Sequence, residues 1–74
     1  MNVQLRPSAL IEHIVRNNMT QASFALKAGV SSGYLAQLLS GKRSPSGRVR
    51  KQLLRASKLG FDQLFEIVRA PKGF

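Results

Sequence analysis

The sequence contains no cysteine, no tryptophan, one histidine and only three acidic residues among its 74. Without cysteine the chain forms neither a disulfide nor a cysteine-bound zinc site, and His13 alone cannot hold a metal ion. No apolar run approaches the roughly 18 residues of a membrane span, and the first ten residues lack the regions of a secretory signal. We therefore expect a cytoplasmic domain with no metal, no other cofactor and no membrane partner.

The same scarcity of reactive side chains argues against catalysis. Three acids and one histidine provide no nucleophile and base at a useful spacing, and the chain has no glycine-rich loop of the phosphate-binding type. We expect that the protein is not an enzyme.

Positive charge, in contrast, is abundant. Twelve Lys and Arg residues give a formal net charge of +9, and no acid occurs between His13 and Phe61. Charge of one sign over the middle of a small domain is typical of a surface that binds a polyanion. From charge alone, a solvated basic surface or an anionic membrane remain alternatives.

Apolar residues recur at helical spacing, and they never alternate over the length of a strand. Pro7 and Ser8 are expected to begin the first helix, with Ser8 as its cap, and Asn17-Asn18 to end it. Its inner face is expected to carry Leu10, Ile11, Ile14 and Val15, and its outer face Glu12, His13 and Arg16.

The stretch from Thr20 to Ser46 has the layout of a helix-turn-helix followed by a basic loop. Thr20 and Ser31 are expected to cap the second and third helices, and Ser46 the fourth. Gly29 is expected to adopt the left-handed backbone conformation that ends helix 2. The inward residues of helices 2 and 3 are expected to be Phe24, Ala25, Ala28, Leu35 and Leu38.

Two more helices are expected towards the C-terminus. The inner face of helix 4 is predicted to carry Val49, Leu53, Ala56 and Leu59, and Gly60 is predicted to end it. Helix 5 is predicted to contain Phe61, Leu64, Phe65 and Val68. One domain is expected over residues 1–69, with a flexible tail over residues 70–74.

Over roughly residues 8–66, the chain resembles the Cro/repressor type of helix-turn-helix domain, which is also called lambda-repressor-like. The matching residues are Thr20-Gln21, Ala25, Ala28-Gly29-Val30-Ser31, Leu35, Leu38, Gly41-Lys42-Arg43, Pro45-Ser46 and Asp62-Gln63-Leu64-Phe65. The resemblance implies a compact all-α fold of five helices, in which helices 2 and 3 form the helix-turn-helix. The chain departs from the family pattern at Lys58, where a helix-ending glycine is usual.

The resemblance also implies how the residues would contact double-stranded DNA. The base-reading positions of helix 3 are Ser32, Gly33, Tyr34 and Gln37. Gln37 is suited to pair with adenine N6 and N7 through its carboxamide. Phosphate contacts fall to Gln21, Ser31, Ser40, Lys42, Arg43 and Arg48, and the segment after helix 3 uses backbone N–H groups as well. The alternatives are solvated side chains at Gln21, Gln37 and Arg48, and packing of Tyr34 on helix 2.

These features favour a sequence-specific transcriptional regulator, most simply a dimeric autorepressor of a phage or mobile element that binds a palindromic operator without a small-molecule effector. The candidate dimer residues are Phe61, Phe65, Val68 and Phe74. The alternative is a protein-binding module with the same fold, an anti-activator or antitoxin; RNA binding is a third. Polar and basic residues retained on and after helix 3 favour DNA.

Overall fold

A computed structural model describes residues 2–69 as a mostly helical domain. The elements in chain order are β1 (Asn2–Leu5), α1 (Pro7–Arg16), α2 (Gln21–Ala28), α3 (Ser32–Leu39), α4 (Gly47–Ser57), α5 (Phe61–Leu64) and β2 (Phe65–Val68). Residues 2–69 therefore contain five helices, as predicted, and in addition a small two-stranded sheet. Within this part of the chain, no helix has the length and apolarity needed to cross a membrane. The predicted tail, residues 70–74, lies outside the described residues.

The core draws side chains from every helix and from both strands. The largest fully buried side chains are Leu10, Phe24, Leu35, Leu38, Leu53, Leu64 and Phe65. Leu5, Ile14, Ala25, Ala28 and Ala56 complete the buried apolar cluster. The inward residues predicted for helices 2 and 3 are all confirmed as buried.

The two strands pair antiparallel and bring the two ends of the described part of the chain together. Val3 is opposite Ile67, and Leu5 is opposite Phe65. The prediction that helix 5 continues to Val68 and that strands are absent was wrong, because the chain turns to extended backbone at Phe65 (φ −130°, ψ 161°). Phe, Ile and Val favour strands, but a four-residue strand is too short to show clear alternation.

Arg6 holds the transition from α5 to β2. Its backbone N–H donates to the carbonyl of Leu64 at 2.8 Å. Its side-chain Nε–H donates to the carbonyls of Asp62 and Phe65, each at 3.1 Å. Arg6 also stands at the N-cap position of α1, with Pro7 in the first turn, so Ser8 is not the cap that was predicted.

The apolar face of α1 is narrower than predicted. Leu10 and Ile14 are buried, but Ile11 is 48% exposed and Val15 is 66% exposed. His13, which was expected on the outer face, is half-buried and meets the ring of Phe24 edge-on at 5.7 Å between ring centroids. The buried stripe therefore follows residues 10, 13 and 14, and residues 11 and 15 face solvent.

The junction between α4 and α5 corrects the role predicted for Gly60. Lys58 itself adopts the left-handed conformation (φ 60°) that ends α4. Gly60 instead precedes α5 in an extended conformation, and its N–H donates to Gln63 Oε1 at 2.8 Å. Ser57 is buried, and its Oγ accepts from the Leu59 N–H at 3.2 Å.

Candidate nucleic-acid interface

The N-terminus of α2 is fixed by a reciprocal pair of hydrogen bonds. Thr20 Oγ1 accepts from the Ser23 N–H at 3.0 Å, and Ser23 Oγ accepts from the Thr20 N–H at 2.9 Å. The capping role predicted for Thr20 is thus confirmed. Gln21 follows as the first helical residue and is exposed, where the partial positive charge of the helix N-terminus adds to the attraction of an anion.

The turn between α2 and α3 is built by Gly29 and Ser31. Gly29 has a φ of +79°, and the Val30 N–H reaches back to the Ala25 carbonyl at 3.0 Å. Ser31 Oγ accepts from the Tyr34 N–H at 3.0 Å and so caps α3. Both predicted roles are confirmed, and together they fix the direction in which α3 leaves the turn.

Burial of Leu35 and Leu38 determines which face of α3 is free. Ser32, Gly33 and Gln37 lie on the exposed face, and Tyr34 is half-buried against the core. An added Cβ at Gly33 would meet nothing within 4 Å, so packing within the chain does not require glycine there. Three of the four predicted base-reading residues are therefore exposed, and Tyr34 is accessible in part.

Backbone N–H groups after α3 point into the helix rather than outwards. Those of Ser40, Gly41 and Lys42 donate to the carbonyls of Ala36, Leu38 and Gln37 at 3.0 to 3.2 Å. Ser40 Oγ also donates to the Gln37 carbonyl, at 3.1 Å. The expectation that this segment offers backbone donors to phosphates is therefore wrong for these three residues, because they close the C-terminal turn of α3.

Side chains remain as the donors of this segment. Lys42 and Arg43 are exposed, and so is Arg48 in the first turn of α4. Arg43 Nε–H donates to Gln37 Oε1 at 2.8 Å, and its guanidinium carbon lies 5.3 Å from the centre of the Tyr34 ring. Two predicted base-reading residues and one predicted phosphate contact are thus brought into one cluster.

The basic loop between α3 and α4 is held by two hydrogen bonds that were not predicted from the sequence. Arg50 Nη1 donates to the Pro45 carbonyl at 2.9 Å. Gln4 Nε2, in β1, donates to Ser44 Oγ at 3.1 Å across 40 residues of sequence. The N-terminal strand thereby helps to position the loop that carries Lys42 and Arg43. A contact between residues so distant in sequence cannot be predicted from a local sequence pattern.

Acidic side chains stay away from this surface. The ion pairs within residues 2–69 join Arg6 to Glu66 at 3.9 Å and Arg16 to Glu12 at 3.1 Å. Both lie outside the stretch from α2 to α4, so the cations of that stretch are not neutralised by carboxylates in the described part of the chain. The same part contains no group of three or more His, Asp or Glu side chains arranged to hold a metal ion.

The predicted dimer residues are not one exposed surface. Phe65 is fully buried, and half-buried Phe61 packs against it with 5.4 Å between the ring centroids. Val68 is 39% exposed, and the neighbouring Ile67, which was not singled out, is 55% exposed. Phe74 lies outside the described residues. The Phe65 side chain belongs to the core of the single chain.

Comparison with known proteins assigns the chain to a family. The sequence profile described as "Helix-turn-helix" matches residues 11–64, from α1 to the end of α5. The uncharacterized HTH-type transcriptional regulator YvzC of Bacillus subtilis (strain 168) is 32% identical over 63 residues, which cover 85% of this chain and 82% of that protein. No solved structure gives a significant match. The chain belongs to the Cro/repressor type of helix-turn-helix family.

Proposed function

We propose that the protein is a sequence-specific DNA-binding transcriptional regulator, in which α2 and α3 form the helix-turn-helix and α3 enters the major groove. The observation that carries the proposal is the exposed outer face of α3, which presents polar residues between a helix N-terminus and basic side chains that form no ion pair within residues 2–69. The family membership and the printed name of the Bacillus subtilis relative support the same function.

The contacts divide into two classes. Gln21, Lys42 and Arg48 are exposed, and we assign them to phosphate contacts, which fix the register without reading sequence. Ser31 joins them, since its Oγ accepts from a backbone N–H and its own proton is still free to donate. Ser32 and Gln37 reach the base edges, and the ring of Tyr34 adds an apolar edge suited to a thymine methyl.

The proposal extends to a homodimer that represses its own operon on a phage or mobile element. One recognition helix covers a short half-site, so two copies about 34 Å apart on one face of a palindromic operator supply the specificity. Since Phe65 is buried, we place the dimer contact at the exposed apolar residues of β2, Ile67 and Val68. The outer edge of a two-stranded sheet leaves backbone groups without a strand partner, which suits association.

Binding to the DNA upstream of the protein's own gene tests the proposal. The control is scrambled DNA of equal length, and the salt concentration is about 0.15 M, at which non-specific binding is weak. We expect a preference of about 10³-fold for the upstream DNA. Equal and weak binding to both duplexes would contradict autoregulation, and a protein partner would then be sought.

A matched pair of variants separates the two classes of contact. Gln37→Ala should weaken binding to the upstream DNA and leave scrambled DNA unaffected, because Gln37 reads a base. Lys42→Ala should weaken both and lower the magnitude of the salt slope by about 1, because it contacts a phosphate. The same loss on both duplexes for Gln37→Ala would remove it from the base-reading set.

A further inference from the structure

Gln37 is the point at which the segment after α3 is fastened to the recognition helix. Its carbonyl oxygen accepts from the Lys42 N–H at 3.0 Å and from Ser40 Oγ at 3.1 Å. Its side-chain Oε1 accepts from Arg43 Nε–H at 2.8 Å. The turn that ends α3 therefore brings Arg43 back over the exposed face of the helix instead of away from it.

Tyr34 supplies the second contact that places Arg43. The guanidinium carbon lies 5.3 Å from the centre of the Tyr34 ring, within the range of cation–π attraction. Tyr34 itself is half-buried and packed against the core, so it is a firm support. A lysine would reproduce the charge of Arg43, but it offers no planar group and no Nε–H in this geometry.

The hydrogen bond with Arg43 decides which atoms Gln37 presents. Oε1 is engaged on one side by a charged donor, so the carboxamide turns its Nε2 with two N–H donors away from Arg43. The terminal Nη1 and Nη2 atoms of Arg43 bring further donors beside it. The outer face of this cluster thus consists mainly of hydrogen-bond donors.

Resting on the DNA-binding function proposed above, we propose that Arg43 determines specificity by positioning Gln37, and that the Tyr34–Gln37–Arg43 cluster reads a guanine. In the major groove guanine offers two acceptors, N7 and O6, which match a donor face. Pairing of Gln37 with adenine, as expected from its residue type, needs Oε1 to accept from N6–H, and Arg43 already occupies one of the two lone pairs of that oxygen. This proposal moves Arg43 from the predicted phosphate contacts to the base-reading cluster.

A measurement without DNA tests the positioning. The side-chain NH₂ group of Gln37 is observed by ¹⁵N NMR in the wild type, in Arg43→Ala and in Lys42→Ala. We expect restricted motion of this group in the wild type and in Lys42→Ala, and fast averaging in Arg43→Ala. A Gln37 side chain equally mobile in all three proteins would overturn the positioning role, whatever the protein binds.

Selection from a pool of randomised duplex DNA tests the reading. Wild type, Arg43→Ala, Arg43→Lys and Gln37→Ala are compared, with Lys42→Ala as the control for lost charge. We expect the wild type to enrich a guanine at one position of each half-site, with a preference of roughly 5- to 150-fold. Both Arg43 variants and Gln37→Ala should lose the preference at that same position, whereas Lys42→Ala should keep it with weaker overall binding.

Arg43→Lys is the decisive variant, since it keeps the charge and changes only the geometry. Its salt slope should equal that of the wild type while the guanine preference is lost. Retention of the full preference in Arg43→Lys and Arg43→Ala, or an enriched adenine in place of guanine, would overturn this inference and leave sequence-specific binding intact. Enrichment of no motif by the wild type would overturn the proposed function and this inference with it.

Discussion

The segment from Thr20 to Ser46 and the terminal sheet are stabilised in different ways. In the segment from Thr20 to Ser46, side chains cap the N-termini of the helices through hydrogen bonds to residues three positions later in the sequence, as at Thr20 and Ser46. In the terminal sheet, β1 pairs with β2, which lies about 60 residues later in the chain. Closing a loop of that length costs roughly 3 kcal/mol more than closing a loop of three residues. The sheet therefore depends on the core residues it contributes, whereas each helix end in the first segment is held by its own neighbours.

Phe65→Ala should have the largest effect, because it attacks the sheet at the residue that joins it to the core. The ring is fully buried, and its removal should cost about 3–5 kcal/mol. A domain of this size has little more stability than that, so we expect a largely unfolded chain by circular dichroism and urea titration. Val15→Ala, on the solvent-facing side of α1 and 66% exposed, is the control and should change the free energy of unfolding by less than about 1 kcal/mol. Melting of both variants close to the wild type would show that the sheet does not support the core.

Gly29→Ala attacks the turn between α2 and α3. Alanine at a φ of +79° is strained by about 1–2 kcal/mol, and its Cβ would lie 3.2 Å from Gln52 Nε2. The control is Gly33→Ala, which meets open space within α3 and should stabilise the domain by about 0.5–1 kcal/mol. Urea titrations should therefore move in opposite directions for the two glycines. Shifts of the same sign would mean that the turn does not hold Gly29 in its left-handed conformation.

Thr20→Ala removes one local cap and should cost about 1 kcal/mol. Thr20→Ser keeps an oxygen at the same place and should cost much less. Thermal unfolding in the absence of DNA measures both. If the serine variant lost as much stability as the alanine variant, the methyl group of Thr20 rather than its hydroxyl would be the stabilising part.

Lys58→Gly should have the smallest effect, and it should be stabilising. Lys58 carries a left-handed φ of 60° at the end of α4, and glycine relieves that strain at some cost in the entropy of the unfolded chain. We expect a net gain of about 0.5 kcal/mol. Lys58→Ala removes the same charge without relieving the strain, so it should not stabilise. A gain in both variants would assign the effect to charge.

The contrast between the two regions also explains what the sequence predicts. Caps and left-handed turns depend on one or two residues, so Thr20, Gly29, Ser31 and Ser46 could be assigned before the structure was known. The strand at residues 65–68 could not, because its partner is at the other end of the chain. Lys58 was not predicted to end α4, although the family pattern marks that position, because a left-handed conformation is uncommon for a residue other than glycine.

At the proposed interface, exposure was easier to predict than direction. The period of Leu35 and Leu38 places Gln37 on the outer face of α3. The contact of Arg43 with Gln37 depends on how the chain turns at residues 40–42, where three N–H groups bond back to the helix. From residue type alone, an arginine in the loop after α3 is expected to contact a phosphate. The backbone path through residues 40–42 instead brings Arg43 back to the exposed face of α3.

The sparse carboxylates, with ion pairs at Glu12 and Glu66, have a consequence for the folded state itself. Folding gathers most of a formal net charge of +9 into a body with a Cα radius of gyration of 12.3 Å, and the mutual repulsion of these charges opposes compaction. Added salt shortens the Debye length to about 8 Å at 0.15 M and screens that repulsion, so the free protein should become more stable as salt rises. Binding to duplex DNA should weaken over the same range. We therefore expect DNA phosphates to act as the counter-charge that the chain lacks, and bound DNA to stabilise the folded state most at low ionic strength.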